Sequence, residues 1–292
     1  MAALLKHVAD FIWFAANTNF GTALLGALAG AVAGALSAQQ IASIVDHRKQ
    51  TRDEFSTIVR SITLTYGITS LFLNMKEQHV RRMQEQYAET CIAEKQFQIA
   101  KHQGFVPADT TFQFVADLSV LEPPPLNVET LSKLVLEHTQ SQRAVVFLTL
   151  LTQSMENVAT ILKKRTALIA ELKALPSNMK VSKYLALPDE DGNVDARFSG
   201  QIAELGSAVD SSIYFSMRLS DILIAYGKRL AKNAKQKNLR VPSPYFDKAA
   251  KAGLLPDSAD FKDHEDQLRA WKEEDRAREP RGVLSRLARV FA

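Results

Sequence analysis

The chain has 292 residues, with 36 Lys and Arg against 32 Asp and Glu for a formal net charge of +4, and a pI near 9.0. That length leaves room for one or two domains, and so slight a positive excess, not gathered into an aromatic-laced patch, argues against a nucleic-acid partner. The single cysteine, Cys91, excludes an internal disulfide and fits a reducing compartment.

Residues 1–19 read as a short external segment. Leu4, Leu5, Val8, Phe11, Ile12, Trp13 and Phe14 make it apolar and aromatic before the polar break Asn17-Thr18-Asn19. Such a segment suits a helix lying at the outer membrane interface, or a simple extension of the helix that follows. No charge occurs from Phe11 to Val45, and the part from Phe20 to Val45 exceeds the roughly 20 apolar residues that cross a bilayer core. Residues 20–45 are therefore predicted to be a transmembrane helix. Within it Thr22, Gly26, Gly30, Gly34 and Ala38 recur every fourth position, which places them on one helix face and clears it for close approach by another helix. A lipid bilayer and a second copy of the chain are thus the expected partners, with a membrane helix of another protein as the alternative.

A cleaved signal peptide competes with this reading. Its apolar region is shorter, about 7 to 15 residues, and small residues should stand one and three before the cut. Here Asp10 interrupts the start, and a cut after Ala38 would put Leu36 at the third position back. A retained anchor fits better. Arg48, Lys49 and Arg52 follow the span, whereas Lys6, His7 and Asp10 precede it. The richer basic flank predicts a cytoplasmic side after the span and a single-pass protein whose bulk is cytoplasmic.

No Gly or Pro interrupts the pattern from Gln40 to Gly67, and the next firm breakers are Gly104 and Pro107. The membrane helix is thus predicted to continue, straight or kinked at Gly67, to about Gln103, with Val80, Met83, Tyr87, Glu94 and Phe97 as a seam at helical spacing. The stretch Phe55 to Leu73 is apolar, rich in Ser and Thr, and holds Arg60 as its only charge. A second membrane helix there, forming a hairpin, is the alternative.

Residues 104–126 form a connector in which Pro123-Pro124-Pro125 favours a stiff extended spacer. Asn127 should cap a helix from Val128 to about Leu175, ended by Pro176. Phe147, Leu151, Val158, Ile161, Leu168, Leu172 and Leu175 stripe it, with Ser154 and Arg165 breaking the stripe in the same register. Ser177 to Phe198 reads as a loop with a small β-hairpin at Gly192-Asn193. A last long helix from Ser199 to about Lys237 buries Ile202, Leu205, Val209, Ile213, Leu223 and Leu230. The predicted class is all-α: residues 46–240 form an antiparallel long-helix bundle with its Pro-rich connector, and 241–292 a polar tail carrying a charged helix from about Ser258 to Arg278. At the tail's end Val283, Leu284, Leu287, Val290 and Phe291 line one face and Arg281, Arg286 and Arg289 the other. That face suits an anionic membrane surface, a partner's groove, or the bundle itself.

Chemistry is sparse. Asp189, Asp191, Asn193 and Asp195 alternate like calcium ligands, but in an EF-hand register the sixth position, a required glycine, is Val194 and the twelfth, a required glutamate, is Gly200. A solvated acidic turn is the better account. His7, His47, His79, His102, His138 and His264 show no metal-ligand pairing, and no phosphate-loop, dinucleotide or nucleophile-elbow motif occurs. Cys91 beside Tyr87 suits a small buried thiol, and His79, Arg81 and Arg82 either hold an anion or form a solvated helix face. No catalytic, cofactor or metal site is expected. The sequence points to a membrane-anchored scaffold or sensor, with a pore-forming or effector protein as the second reading and an enzyme with dispersed site groups as a third.

Overall fold

The computed structural model describes residues 19–107, 109–125, 127–138, 141–188, 191–233 and 239–278, together with Lys6, His7, Asp10 and Trp13. The basic amphipathic end at 281–291 and most of the segment before Asn19 lie outside the described residues.

The protein is all-helical with several long helices, and among the described residues there is no strand. Helix α1 spans Asn19–Met75 and passes through a π-helical turn, Lys76–Val80, into α2, Arg81–His102. Then come α3 Val128–His138, α4 Gln142–Ala174, α5 Ser177–Leu185 and α6 Arg197–Asn233. After these stand α7 Asp247–Lys251, a 3-10 turn Ser258–Phe261 and α8 Lys262–Arg278. The chain divides into two compact units, residues 1–59 with 226–241 and residues 60–225 with 242–292.

In the first unit, α1 is exposed at every position from Gly30 to Gln50. Burial begins at Thr51, Phe55 and Ile58, where the returning end of α6 packs. The Tyr226 hydroxyl donates to Glu54 Oε1. Gly227 permits the approach, because a Cβ there would stand 3.2 Å from Ile58 Cγ2 and 3.4 Å from a Val241 methyl.

In the second unit the rest of α1 buries Ile62, Ile68, Phe72 and Leu73 beside Ser61, Thr65 and Thr69. The hydroxyls are satisfied within the protein: Thr65 donates to Ser61 O, Thr69 is 2.9 Å from Thr65 O and 2.8 Å from Ser216 Oγ. On α6, Ser212 reaches Ser154 of α4 at 3.1 Å. Side chains this short let helices come close, and back-bonding to the preceding turn removes the cost of burying a hydroxyl. The apolar Ser/Thr-rich stretch is therefore packed against protein. Because α1 is unbroken through residues 46–54, no hairpin turn separates it from the preceding apolar run.

Helix α4 is long and apolar enough to cross a membrane by length and composition. Its stripe is turned inward instead: Phe147, Leu151, Val158, Ile161, Leu168 and Leu172 are buried, and so are Ser154 and Arg165. Phe147 meets Phe215 of α6 at 6.2 Å between rings. The tail docks on the same core through Phe261 at the end of the 3-10 turn, stacked 4.0 Å from Tyr214, and through Glu265 of α8, which accepts from Tyr214 and pairs with Arg218.

Three local expectations need correction. The helix expected over 128–175 is two, since α3 ends at His138 and α4 restarts after Ser141, whose extended backbone and side-chain acceptance from Ala144 N make it an N-cap. The expected loop after Pro176 begins with α5. The proline that stops one helix starts the next, since Pro176 O accepts from Lys180 N at 3.0 Å, and Ala186 closes α5 in the left-handed region at φ 54°. The expected hairpin reduces to an isolated antiparallel bridge between Pro188 and Val194.

Candidate functional site

The connector after α2 is an extended strap laid across the second unit. Phe112 packs 5.5 Å from Phe97, and Phe114 packs 4.9 Å from Tyr184, whose ring lies 4.3 Å from Phe198. The strap is pinned through the backbone at Asp117: its N–H donates to Tyr184 Oη at 3.3 Å, and its carbonyl accepts from Arg165 Nη2 at 3.3 Å. The Asp117 carboxylate accepts from the Ser119 N–H and hydroxyl, which holds it against the strap's own backbone.

Arg165 is the unusual member. It is 1% exposed, lies 4.9 Å over the Phe198 ring, and among the described residues has no hydrogen-bond partner at Nε or Nη1. Burial pushes its pKa below the ordinary arginine value, against the opposing pull of Asp117 and Tyr184. The same burial raises the Tyr184 hydroxyl and, with a hydrogen bond to Cys91, pushes Tyr87 up to about 12. Cys91 thus sits half-buried beside Tyr87, as its helical spacing suggested.

Between strap and helix lies a cleft of about 560 Å³. One wall runs along the π-helical turn and α2 from Gln78 to Thr90, and the other is the strap from Val115 to Leu121. The turn is locally widened because Arg81 N bonds to Lys76 O, five residues back, and π-turns of this kind recur at functional sites. Lys76 anchors it through a 2.6 Å ion pair with Asp210. Of the three basic residues expected together, Arg81 is engaged by Glu85 and Ala252 O. His79 and Arg82 line the cleft.

None of the other described sequence candidates lines it. Gly26, Gly30 and Gly34 have nothing within 4 Å of the position a Cβ would take, and Ala38 is exposed. The backbone places Thr22 in the same register of α1. Arg48, Lys49 and Arg52 are exposed on the same helix. Arg281, Leu284, Arg286, Leu287, Arg289 and Phe291 lie outside the described residues. Among the described residues no cluster of His, Cys, Asp and Glu has metal-binding geometry. The acidic run around Asp195 holds Arg197 instead, since Asp195 and Glu171 both pair with that guanidinium, which keeps both carboxyls below the usual carboxylate range. Sequence reading missed the strap's clasp, although Arg165 inside an apolar stripe was its visible trace. No family model matches the chain, and no curated protein or solved structure does so either.

Proposed function

We propose that the protein is a single-pass, membrane-anchored scaffold or sensor: residues 20–45 span the bilayer, the glycine stripe mediates self-association, and an antiparallel bundle on the cytoplasmic side presents binding surfaces. The observation carrying this reading is the exposure of the apolar part of α1. Val32, Leu36, Ile41, Ile44 and Val45 are 59%, 57%, 63%, 51% and 56% exposed, and at about 100° per residue they spread over more than half of the helix circumference. An isolated helix that apolar is unstable in water, where each exposed side chain forgoes about 1.5 to 3 kcal/mol of burial. Acyl chains would cover it on every side, with its backbone bonds satisfied internally. Arg48, Lys49 and Arg52 would then meet anionic headgroups.

The reading is tested by alkaline carbonate extraction, which should leave the full chain in the membrane pellet. Recovery in the supernatant would overturn the anchor. Self-association is tested separately. Gly30→Ile should weaken it in a membrane two-hybrid assay more than Leu25→Ile does, because a branched side chain on the open face keeps backbones apart. Equal signals from both would remove the stripe as the contact.

A further inference from the structure

We propose that the cleft between the π-turn and the strap binds an extended peptide segment carrying an acidic and a basic side chain on one face. Two properties of the walls point to this ligand. The first is main-chain: at Val115, Ala116, Leu118, Val120 and Leu121 the strap's peptide N–H groups donate to nothing among the described residues. In this it resembles an unpaired sheet edge. Such an edge recruits an extended chain through backbone hydrogen bonds. The clasp of Asp117 by Tyr184 and Arg165 holds it rigid, so little ordering entropy is lost when a ligand is added.

The second property is charge. Along the opposite wall, His79 and Arg82 stand at one end and Glu89 at the other, and none of the three makes an ion pair with a described residue. Ten residues separate His79 from Glu89 and seven separate Arg82 from it, so at 1.5 Å per residue the two ends lie about 10 to 15 Å apart. In an extended peptide, side chains four residues apart share a face about 13 Å apart. An acid at one position would meet His79 and Arg82, and a lysine or arginine at the other would meet Glu89. Between them Met83, buried under the cleft, offers an adaptable apolar floor. A simple anion fits less well, because Glu89 and Asp117 share the cleft with the two cations.

This assignment stands apart from the anchor, so the experiment uses the full chain in detergent micelles. Two fluorescent acetylated and amidated pentapeptides serve as probes, one with an acidic first and basic last residue around Val-Thr-Val, the other with the charges exchanged. One order should bind at least ten-fold tighter. Arg82→Glu should abolish that preference, and Arg82→Glu combined with Glu89→Lys should invert it. N-methylating the peptide on one edge should weaken binding more than on the other. Both residues are exposed and make no ion pair with a described residue, so loss of fold is not expected, and an unchanged helical circular dichroism spectrum checks it. Failure of both peptides to bind at millimolar concentration overturns the proposal. So does equal affinity for the two, or a double variant that keeps the original preference.

Discussion

The two halves of α1 distribute their side chains in opposite ways. From residue 30 to 45 the helix is uncharged, mostly apolar and exposed throughout, while from 61 to 73 it carries Ser61, Thr65 and Thr69 and buries them almost completely. In a protein surrounded only by water the more polar half would be the exposed one. The inversion teaches that composition alone does not say which part of a helix meets its own protein. The hydroxyl half can be buried because each oxygen has a partner within reach, whereas no described residue covers the apolar half. Under the membrane reading the two halves have different solvents, and the same helix is matched to both.

The sharpest way to break that comparison is one truncation in each half. Phe72 is fully buried, and Phe72→Ala should lower unfolding stability by about 3 to 5 kcal/mol through lost burial and the cavity left behind. Leu36→Ala should change stability in detergent by less than about 0.5 kcal/mol, since no packed neighbour is lost. Comparable effects from the two in chemical denaturation would mean that the exposed half is packed against something when folded.

Alkali should separate the halves next. Burial, helped by the hydrogen bond to Glu265, pushes Tyr214 up to about 12, above the ordinary tyrosine value near 10. Its contribution to stability is complete below about pH 10, where the unfolded tyrosine also keeps its proton. It is lost as pH rises toward 12, because the unfolded state then releases a proton that the folded state retains. The expected loss across that window is about 2 kcal/mol. The exposed half from residue 30 to 45 contains no titrating side chain. Carbonate at about pH 11 should therefore loosen the α8 contact, read as a falling melting temperature, while the chain stays with the membrane.

Much of this architecture was legible in the sequence, because helical period and the hydrophobic effect act locally. Val80, Met83 and Glu94 are buried on the inner side of their helix as their spacing required. Asn127 precedes a helix that does begin at Val128. What escaped was set by contacts between distant segments. Arg165 could be seen to break a stripe, but not that Asp117, 48 positions away, would accept its hydrogen bond. The strap's course depends on Phe112 and Phe114 finding Phe97 and Tyr184, and a proline-rich linker carries no periodicity that reports its destination. The π-turn gave no signal, since one extra residue in a helix leaves composition unchanged.

That long-range clasp supplies a prediction of smaller size. Replacing a buried charge by an apolar side chain of similar volume is often neutral or stabilising, while the lost bond to Asp117 costs about 1 kcal/mol. Arg165→Met should accordingly shift global stability by no more than about 1 kcal/mol in either direction. The strap should respond more than the bundle. Amide exchange at residues 115–121 should accelerate while the α4 core remains protected. A large fall in melting temperature with no local change at the strap would show that Arg165 supports the core and not the clasp.

An effect of similar size should come from the hydroxyl pair at the centre of the buried half. Thr69 donates to Thr65 O and meets Ser216 Oγ, and Ser216 also lies 2.9 Å from Ile213 O. The two hydroxyls have one proton each for these three contacts, so the bond between the helices competes with the bonds to their own backbones. Thr69→Val keeps the shape and removes the cross-helix bond, so it should cost about 0.5 to 1.5 kcal/mol, the usual net value of one hydrogen bond. Ser216→Ala should cost a similar amount and open a smaller gap. The two changes together should cost less than their sum, because the second removes a group already deprived of its partner, and the coupling should reach at least about 0.5 kcal/mol. Additivity in a double-mutant cycle would mean that the helices meet through close packing of small side chains alone, with the hydroxyls serving only their own backbones.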